Sequence, residues 1–323
     1  MTLVVDSLVK RFGSVVALDG ISFSVEPGQI FGFLGANGAG KTTTMRIILN
    51  ILRPDAGTVT WEGRPTRDEP RRTWGYLPEE RGLYPRMEVL EQLSYFGELY
   101  DIPRRESTAR AREWLARFRI PEYERRRAEE LSKGNQQKVQ FIAAILHRPP
   151  VLLMDEPYVG LDPVNVALLK EAFVEMRDRG TTIVFSTHQM EMVEELCETV
   201  VLIDRGRLVV GGPIREVKRS SGRQVVRIAV DGDTEMPWLS EIPGVHVARS
   251  GQDYTELDVD RSIDPETVLR GALERGHRVT QFLIADPSIE RIFIERVGRP
   301  PSENHHLAEA AGAAPTGATG GAR

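Results

Sequence analysis

Residues 35–43 read Gly35-Ala36-Asn37-Gly38-Ala39-Gly40-Lys41-Thr42-Thr43. They match the spacing G-x-x-x-x-G-K-[ST], with Gly35, Gly40, Lys41 and Thr42 at the fixed places. Glycines let the backbone turn tightly, so successive N–H groups can point inward at a triphosphate. The stretch from Asn37, Gly38 and Ala39 through Gly40 to Lys41, Thr42 and Thr43 is therefore expected to hold a nucleotide. Lys41 has the reach for the β- and γ-phosphates, and the Thr42 hydroxyl can ligate Mg²⁺. The preceding Ile30-Phe31-Gly32-Phe33-Leu34 is an apolar run suited to a buried parallel strand. Beyond the loop, Met45, Ile48, Leu49 and Leu52 fall at helical spacing, with Pro54 as the expected stop. Strand, glycine loop and helix follow one another in the order that places phosphates at a helix N-terminus.

The chain has 323 residues, enough for one large domain plus a smaller one. It is 41% hydrophobic and 28% charged, an ordinary globular composition. A net charge of −5 gives no overall field favouring nucleic acid or an anionic membrane. Cys197 is the one cysteine, which excludes an internal disulfide and agrees with a reducing compartment. Asp6 comes too early for a secretory leader, and no apolar run approaches the roughly 18–20 residues of a spanning helix. Action at a membrane would need another chain to supply the spanning part.

Residues 1–62 alternate β-like runs with glycine turns, whereas 87–147 read as helical and rich in Arg and Glu. The charge run Arg104–Glu130 interleaves glutamates with arginines and reads as the solvated side of a helical subdomain rather than a nucleic-acid face. From 150 to 210, apolar strands alternate with helices, the pattern of a parallel α/β sheet. The nucleotide-binding part is expected to span 1–215, and a small α+β domain 222–299. In that domain the sequence predicts strands at 225–230, 244–249, 254–259 and 279–285, a short helix near Trp238, and a helix at 265–274. That β-α-β-β-α-β order is compatible with a ferredoxin-like module. A last helix is predicted over 288–297. The Ala-, Gly- and Pro-rich tail 300–323 is expected to be disordered, with His305 and His306 as a solvated pair.

A second nucleotide motif lies downstream. Val151-Leu152-Leu153-Met154 is a short apolar strand ending in Asp155-Glu156. An aspartate at such a strand end can hold Mg²⁺, and the carboxylate beside it can orient or deprotonate an attacking water. A third strand, Ile183-Val184-Phe185, delivers Ser186, Thr187 and His188. Ligands of open parallel sheets bind beyond the carboxyl ends of the strands, which gathers Gly35, Asp155 and His188 at one edge. His188 there could hydrogen-bond a γ-phosphate oxygen.

With these residues in place, 3–215 resembles the nucleotide-binding subunit of ATP-binding cassette transporters, a P-loop NTPase cassette with a β-rich N-terminal subdomain and a helical subdomain. Leu131-Ser132-Lys133-Gly134-Asn135 resembles that family's LSGGQ signature and opens a helix with Val139, Ile142, Ala143 and Leu146 on its apolar face. The resemblance implies that Ser132 and Gly134 reach the ATP of an opposing subunit, so two copies close head to tail on two ATP. Gly160-Leu161-Asp162-Pro163 matches the family's D-loop, which adds Asp162 to the nucleotide contacts. Phe12 sits where the family stacks an aromatic on adenine; packing at a core edge is the other reading of it.

Two positions depart from the family pattern. Lys133 and Asn135 stand where the signature has glycine and glutamine. In Trp74-Gly75-Tyr76-Leu77-Pro78-Glu79 the family usually ends with glutamine. Glu79 could still ligate the metal as a hard oxygen donor, with Glu80 as the competing candidate. Gly75–Pro85 and Ser288–Phe293 resemble a subgroup of export-type and poorly characterised transporters that includes relatives of sodium and drug exporters. The resemblance thus implies an ATPase using ATP and Mg²⁺, driving a separate multi-spanning permease from the inner face of the cell membrane and making no use of nucleic acid. A soluble cassette ATPase acting on ribosomes or DNA is the alternative. One phosphate loop and no sustained heptads speak against it.

Overall fold

The computed structural model describes residues 2–80, 82–232, 236–251 and 253–299. The tail with His305 and His306 lies outside them. The chain divides into two compact units between Gly211 and Gly212, with Arg299 joining the first unit. There its guanidinium donates to the Asp204 carboxylate at 2.8 Å.

In the first unit, β1 (Leu3–Phe12) and β2 (Val15–Val25) form an antiparallel pair. β3 (Ile30–Leu34) runs into the glycine loop and α1 (Lys41–Ile48), and β4 (Ala56–Trp61) with the short β5 (Arg64–Pro65) returns to pair with β1. β6 (Trp74–Leu77) precedes three helices, α2 (Val89–Glu98), α3 (Arg104–Arg117) and α4 (Lys133–Ile145). The chain then alternates β7 (Val151–Asp155), α5 (Pro163–Asp178), β8 (Thr182–Thr187), α6 (Met190–Leu196), β9 (Thr199–Asp204) and β10 (Arg207–Pro213).

Two sheets result, ordered β2-β1-β4-β5 and β10-β9-β3-β8-β7-β6. The second is parallel from β9 across to β6, as the alternation of strand and helix predicts. Its central strands β3, β7 and β8 are buried along their whole length, which is why they read as unbroken apolar runs. One core joins the two sheets. Leu3, Val5, Ile21 and Trp61 of the antiparallel sheet pack with Phe31, Phe33, Leu153 and Ile203 of the parallel one. Phe23 bridges them, its ring 5.4 Å from that of Phe31 and 5.3 Å from that of Phe33. Each fully buried phenylalanine contributes about 2–3 kcal/mol of apolar transfer.

α1 ends at Ile48, short of the Leu52 end that its apolar spacing predicts. Asn50 adopts a left-handed backbone with φ +55°. The N–H groups of Ile51 and Leu52 then turn back to the Arg46 carbonyl at 2.9 and 3.0 Å. This is a C-terminal cap with asparagine in the glycine role, and it stops the helix before Pro54 can. The arginines of α3 do meet glutamates, Arg112 with Glu124 at 2.9 Å and Arg104 with Glu98 at 3.1 Å. Only Ser107, Ala111 and Leu115 of that helix are buried. No helix among the described residues is long and apolar enough to cross a membrane.

His147 carries a measurable consequence. Its ring stacks on Tyr100 at 3.8 Å, its Nε2 bonds the Trp74 carbonyl at 3.0 Å, and burial lowers its pKa from 6.5 to about 4. A folded-state pKa below the unfolded one means that the unfolded chain takes up the proton first, so stability falls as pH drops from 6.5 toward 4. This residue should make the protein about 2 kcal/mol less stable at pH 5 than at pH 7. Denaturant midpoints of wild type and His147→Gln at the two pH values test this; an equal pH slope in the variant would refute the assignment.

The second unit opens with α7 (Ile214–Arg219), which packs against α9 (Ile289–Val297) and has Val217 buried. The unit spans Gly212–Gly298, so it takes in α7, which lies before the expected start at 222. β11 (Arg223–Val230), β12 (Val245–Ser250), β13 (Thr255–Asp260) and β14 (Val279–Ala285) form an antiparallel sheet in the order β12-β13-β11-β14. β11 and β12 are thus parallel with β13 inserted between them, the split βαβ arrangement. A five-residue 3₁₀ turn, Pro237–Glu241, makes the first crossover in place of a true helix. α8 (Glu266–Glu274) makes the second. Trp238, Leu239, Val268 and Ala272 cover Val226, Ile228, Leu257 and Val259 of the sheet.

Candidate functional site

β3, β7 and β8 end at one edge of the parallel sheet. Register aligns Leu34 with Thr187 and Asp155 with Ser186, so the glycine loop, the Asp155-Glu156 pair and the segment reaching His188 emerge side by side. Close packing explains the glycines. A Cβ on Gly35 would stand 2.5 Å from the Ile203 carbonyl oxygen. Gly40, at φ +109°, would meet the Ala17 carbonyl at 2.8 Å and holds the left-handed turn that starts α1. The first N–H groups of α1 have no partner within the helix and point beyond its start.

A cavity of about 280 Å³ opens at this edge. It brings together Asn37, Gly38, Gly40, Lys41, Thr42, Thr43, Glu79, Asp155 and Glu156, all expected from the sequence, and adds Ala17, which no motif signals. Lys41 is buried. Its Nζ donates to the Gly35 and Ala36 carbonyls at 2.8 and 3.3 Å and lies 3.5 Å from Glu156 Oε1. Asp155 is gripped at both oxygens. Thr42 Oγ1 donates to Oδ2 at 2.5 Å, and the Ser186 hydroxyl donates to Oδ1. Glu156 accepts from Thr187 Oγ1 at 3.1 Å and bonds His188 Nδ1 at 2.9 Å. Ser186 and Thr187 thus orient the two carboxylates, a role readable only once β7 and β8 are known to be neighbours.

The Glu156 backbone sits at φ +49°, a left-handed conformation costing about 1–3 kcal/mol for a side chain of this size. Its bond to His188 raises the histidine pKa above the ordinary value, with the Glu156 charge adding to the effect. Glu79 is exposed as a residue. Even so, partial burial of its carboxyl, followed by the charges of Asp155 and Glu156, raises its pKa. The donor set therefore joins one lysine, orphan backbone N–H groups, a hydroxyl and three carboxyls. That combination fits a triphosphate with a hard divalent cation. No cluster of three or more His, Cys, Asp or Glu able to cage a metal exists among the described residues. The fit is to Mg²⁺ held by the Thr42 hydroxyl, one or two carboxylates and phosphate.

Other expected residues stand apart from this cavity. Ala39 is buried in the loop, its N–H bonded to the Ala36 carbonyl. Phe12 is 49% exposed at the end of β1, with Lys10 Nζ 5.5 Å from its ring centroid, so it is not a core residue. Ser132 caps α4, its Oγ accepting from the Asn135 N–H at 3.3 Å. Gly134 lies against the Gly160 carbonyl. Asp162 caps α5, accepting from the Asn165 backbone and side chain at 2.9 and 2.7 Å. Gln140 of α4 donates to the carbonyls of Pro78 and Glu80, at 3.1 and 3.0 Å, on either side of Glu79. Next to that segment, Tyr84 (50% exposed) packs its ring 5.8 Å from Phe96 and 6.3 Å from Tyr95.

A larger cavity of about 330 Å³ lies elsewhere, beside Trp114 and Met176. Its Arg110 is engaged by the Leu146 carbonyl and Glu106, and its Arg117 by Glu175, so it carries no comparable chemistry.

Comparison with known proteins agrees with this geometry. Residues 18–159 match the family described as ABC transporter, and 212–297 match the C-terminal domain of DrrA1-3-like ATP-binding proteins. The chain is 43% identical over 296 residues to the uncharacterized ABC transporter ATP-binding protein YhaQ of Bacillus subtilis, covering 92% of this chain and 98% of that one. It is 32% identical to the Nod factor export ATP-binding protein I of Burkholderia lata, covering 90% of this chain and 95% of the other. A solved ATP-binding subunit of an ABC transporter superposes with a TM-score of 0.64 at 31% identity, covering 69% of this chain and 94% of that structure.

Proposed function

The chain belongs to the ATP-binding subunits of ABC transporters, and from that membership we propose how its own residues do the work. It is an ATPase subunit of exporter type, whose family works as dimers with membrane permeases. Lys41 and the N–H groups that open α1 cradle the triphosphate. Thr42 and Asp155, with Glu79, would hold Mg²⁺, which would supply positive charge against the phosphates. Glu156 takes the proton of the attacking water, and His188, bonded to Glu156 through Nδ1, turns its other nitrogen to the γ-phosphate. Phe12 supports the adenine. Ser132, Gly134 and Asp162 face the ATP held chiefly by a second copy, so the sites are complete only in the closed pair.

The observation that carries this reading is the single cavity where Lys41, Thr42, Asp155 and Glu156 meet, with His188 bonded to its rim. The exposed Tyr84 and Tyr95, with the half-buried Phe96, form the docking place for the permease, which holds the subunit at the inner face of the membrane. Purification of tagged Glu156→Gln protein with Mg-ATP from gently solubilised cells is expected to bring down a multi-spanning protein in near-equal amount. Recovery of ribosomes or DNA with no such chain would replace the transporter reading by the soluble one.

A further inference from the structure

β14 is an edge of the second unit's sheet, and nothing in its composition guards it. The strand Val279-Thr280-Gln281-Phe282-Leu283-Ile284-Ala285 holds no charge and no proline, and Leu283 and Ile284 are each 43% exposed. The opposite edge, β12, carries His246 and Arg249 and is broken by an irregularity between Val247 and Arg249, whereas the irregularity of β14 lies near its start, at Thr280, and leaves Gln281–Ala285 in regular register. A seven-residue uncharged edge left open is a template for another strand.

We propose that β14 pairs with β14 of a second copy of this chain, joining two four-stranded sheets into one. Charge complementarity selects the occupant and the register. With two β14 strands antiparallel about Phe282, Gln281 faces Leu283 of the second copy, and past the irregularity at Thr280 the start of each strand runs beside Ile284 and Ala285 of the other. The residues just outside the strand, Arg278 and Asp286, then come to the same ends of the joined sheet, and Asp286, whose Oδ1 is taken by Arg261, offers its other oxygen to the incoming guanidinium. Arg278 is 84% exposed, with Asp231 at 3.4 Å as its present contact, so its guanidinium is free to turn. The uncharged strand brings no like charges together across the two-fold axis, and such juxtaposition would oppose self-pairing. Leu283 and Ile284 of both copies become covered, and the contact is isologous, as a closed dimer requires.

Cross-linking in the full-length, nucleotide-free chain tests the register. In a Cys197→Ala background, Gln281→Cys protein is mixed with Leu283→Cys protein and oxidised. Residues directly opposite across an antiparallel pair lie about 4.5–5.5 Å apart at Cα, within disulfide reach. The mixture should yield a covalent dimer while neither variant alone does. Absence of the mixed dimer, or equal cross-linking by the single variants, overturns the pairing. Sedimentation supplies a second readout: Leu283→Lys should weaken nucleotide-free self-association by about tenfold or more, with an unchanged denaturation midpoint in dilute solution, where both proteins are monomeric. Unaltered association would likewise overturn the proposal. Neither experiment uses ATP, so their failure leaves the ATPase assignment untouched.

Discussion

Glu156→Gln is expected to cut ATP hydrolysis by at least about a hundredfold while Mg-ATP still binds. Glutamine keeps the size of the side chain and can still bond Thr187 and His188, so the unusual φ of +49° and the local packing should persist. It lacks the basicity to accept a proton from water. Removing one carboxylate also relieves charge beside Asp155 and Glu79, which favours retention of the polyanion. Rapid-quench single turnover against wild type separates the two effects. Phosphate release within about threefold of wild type would take the base role from Glu156.

Lys41→Ala should act on binding instead. Among the described residues that line the cavity, Lys41 is the sole cation and stands against three carboxyls, Glu79, Asp155 and Glu156. Without it a triphosphate enters a site of net negative charge, and a charge-assisted contact worth about 2–3 kcal/mol disappears. Affinity for ATP should fall by roughly thirtyfold or more, because every 1.4 kcal/mol is about tenfold. Equilibrium titration with a fluorescent ATP analogue measures the change, with the denaturation midpoint taken in parallel because Lys41 is also the near cation of Glu156. An unaltered Kd would show that the cradle does not depend on this residue.

Much of the site was legible because it is local. The glycine loop, its lysine and the acid pair each occupy a few consecutive residues, and backbone geometry dictates their spacing. The central strands were legible for a related reason, since burial on both faces demands unbroken apolar runs such as Val151–Met154. What depends on contacts between distant segments was not. Ala17 reaches the cavity from β2 only because its carbonyl packs against Gly40. Ser186 grips Asp155 only because β7 and β8 are neighbours. The early end of α1 turns on Asn50, whose left-handed cap prevails over the apolar spacing that continues to Leu52. α7 escaped because six residues give too little periodicity to separate a helix from a linker.

The two bonds from Gln140 to the backbone on either side of Glu79 give α4 a mechanical character. A thirteen-residue helix is a stiff rod about 20 Å long, and Ser132 stands at its tip, roughly 12 Å along the axis from Gln140. Rotating the rod by about ten degrees at the Gln140 pivot swings Ser132 by about 2 Å, the difference between a made and a broken hydrogen bond. In the closed pair proposed above, a small displacement at Glu79 would thereby be geared up into a stroke at Ser132. Shortening the linkage with Gln140→Ala would leave each half of the chemistry in place and uncouple their timing.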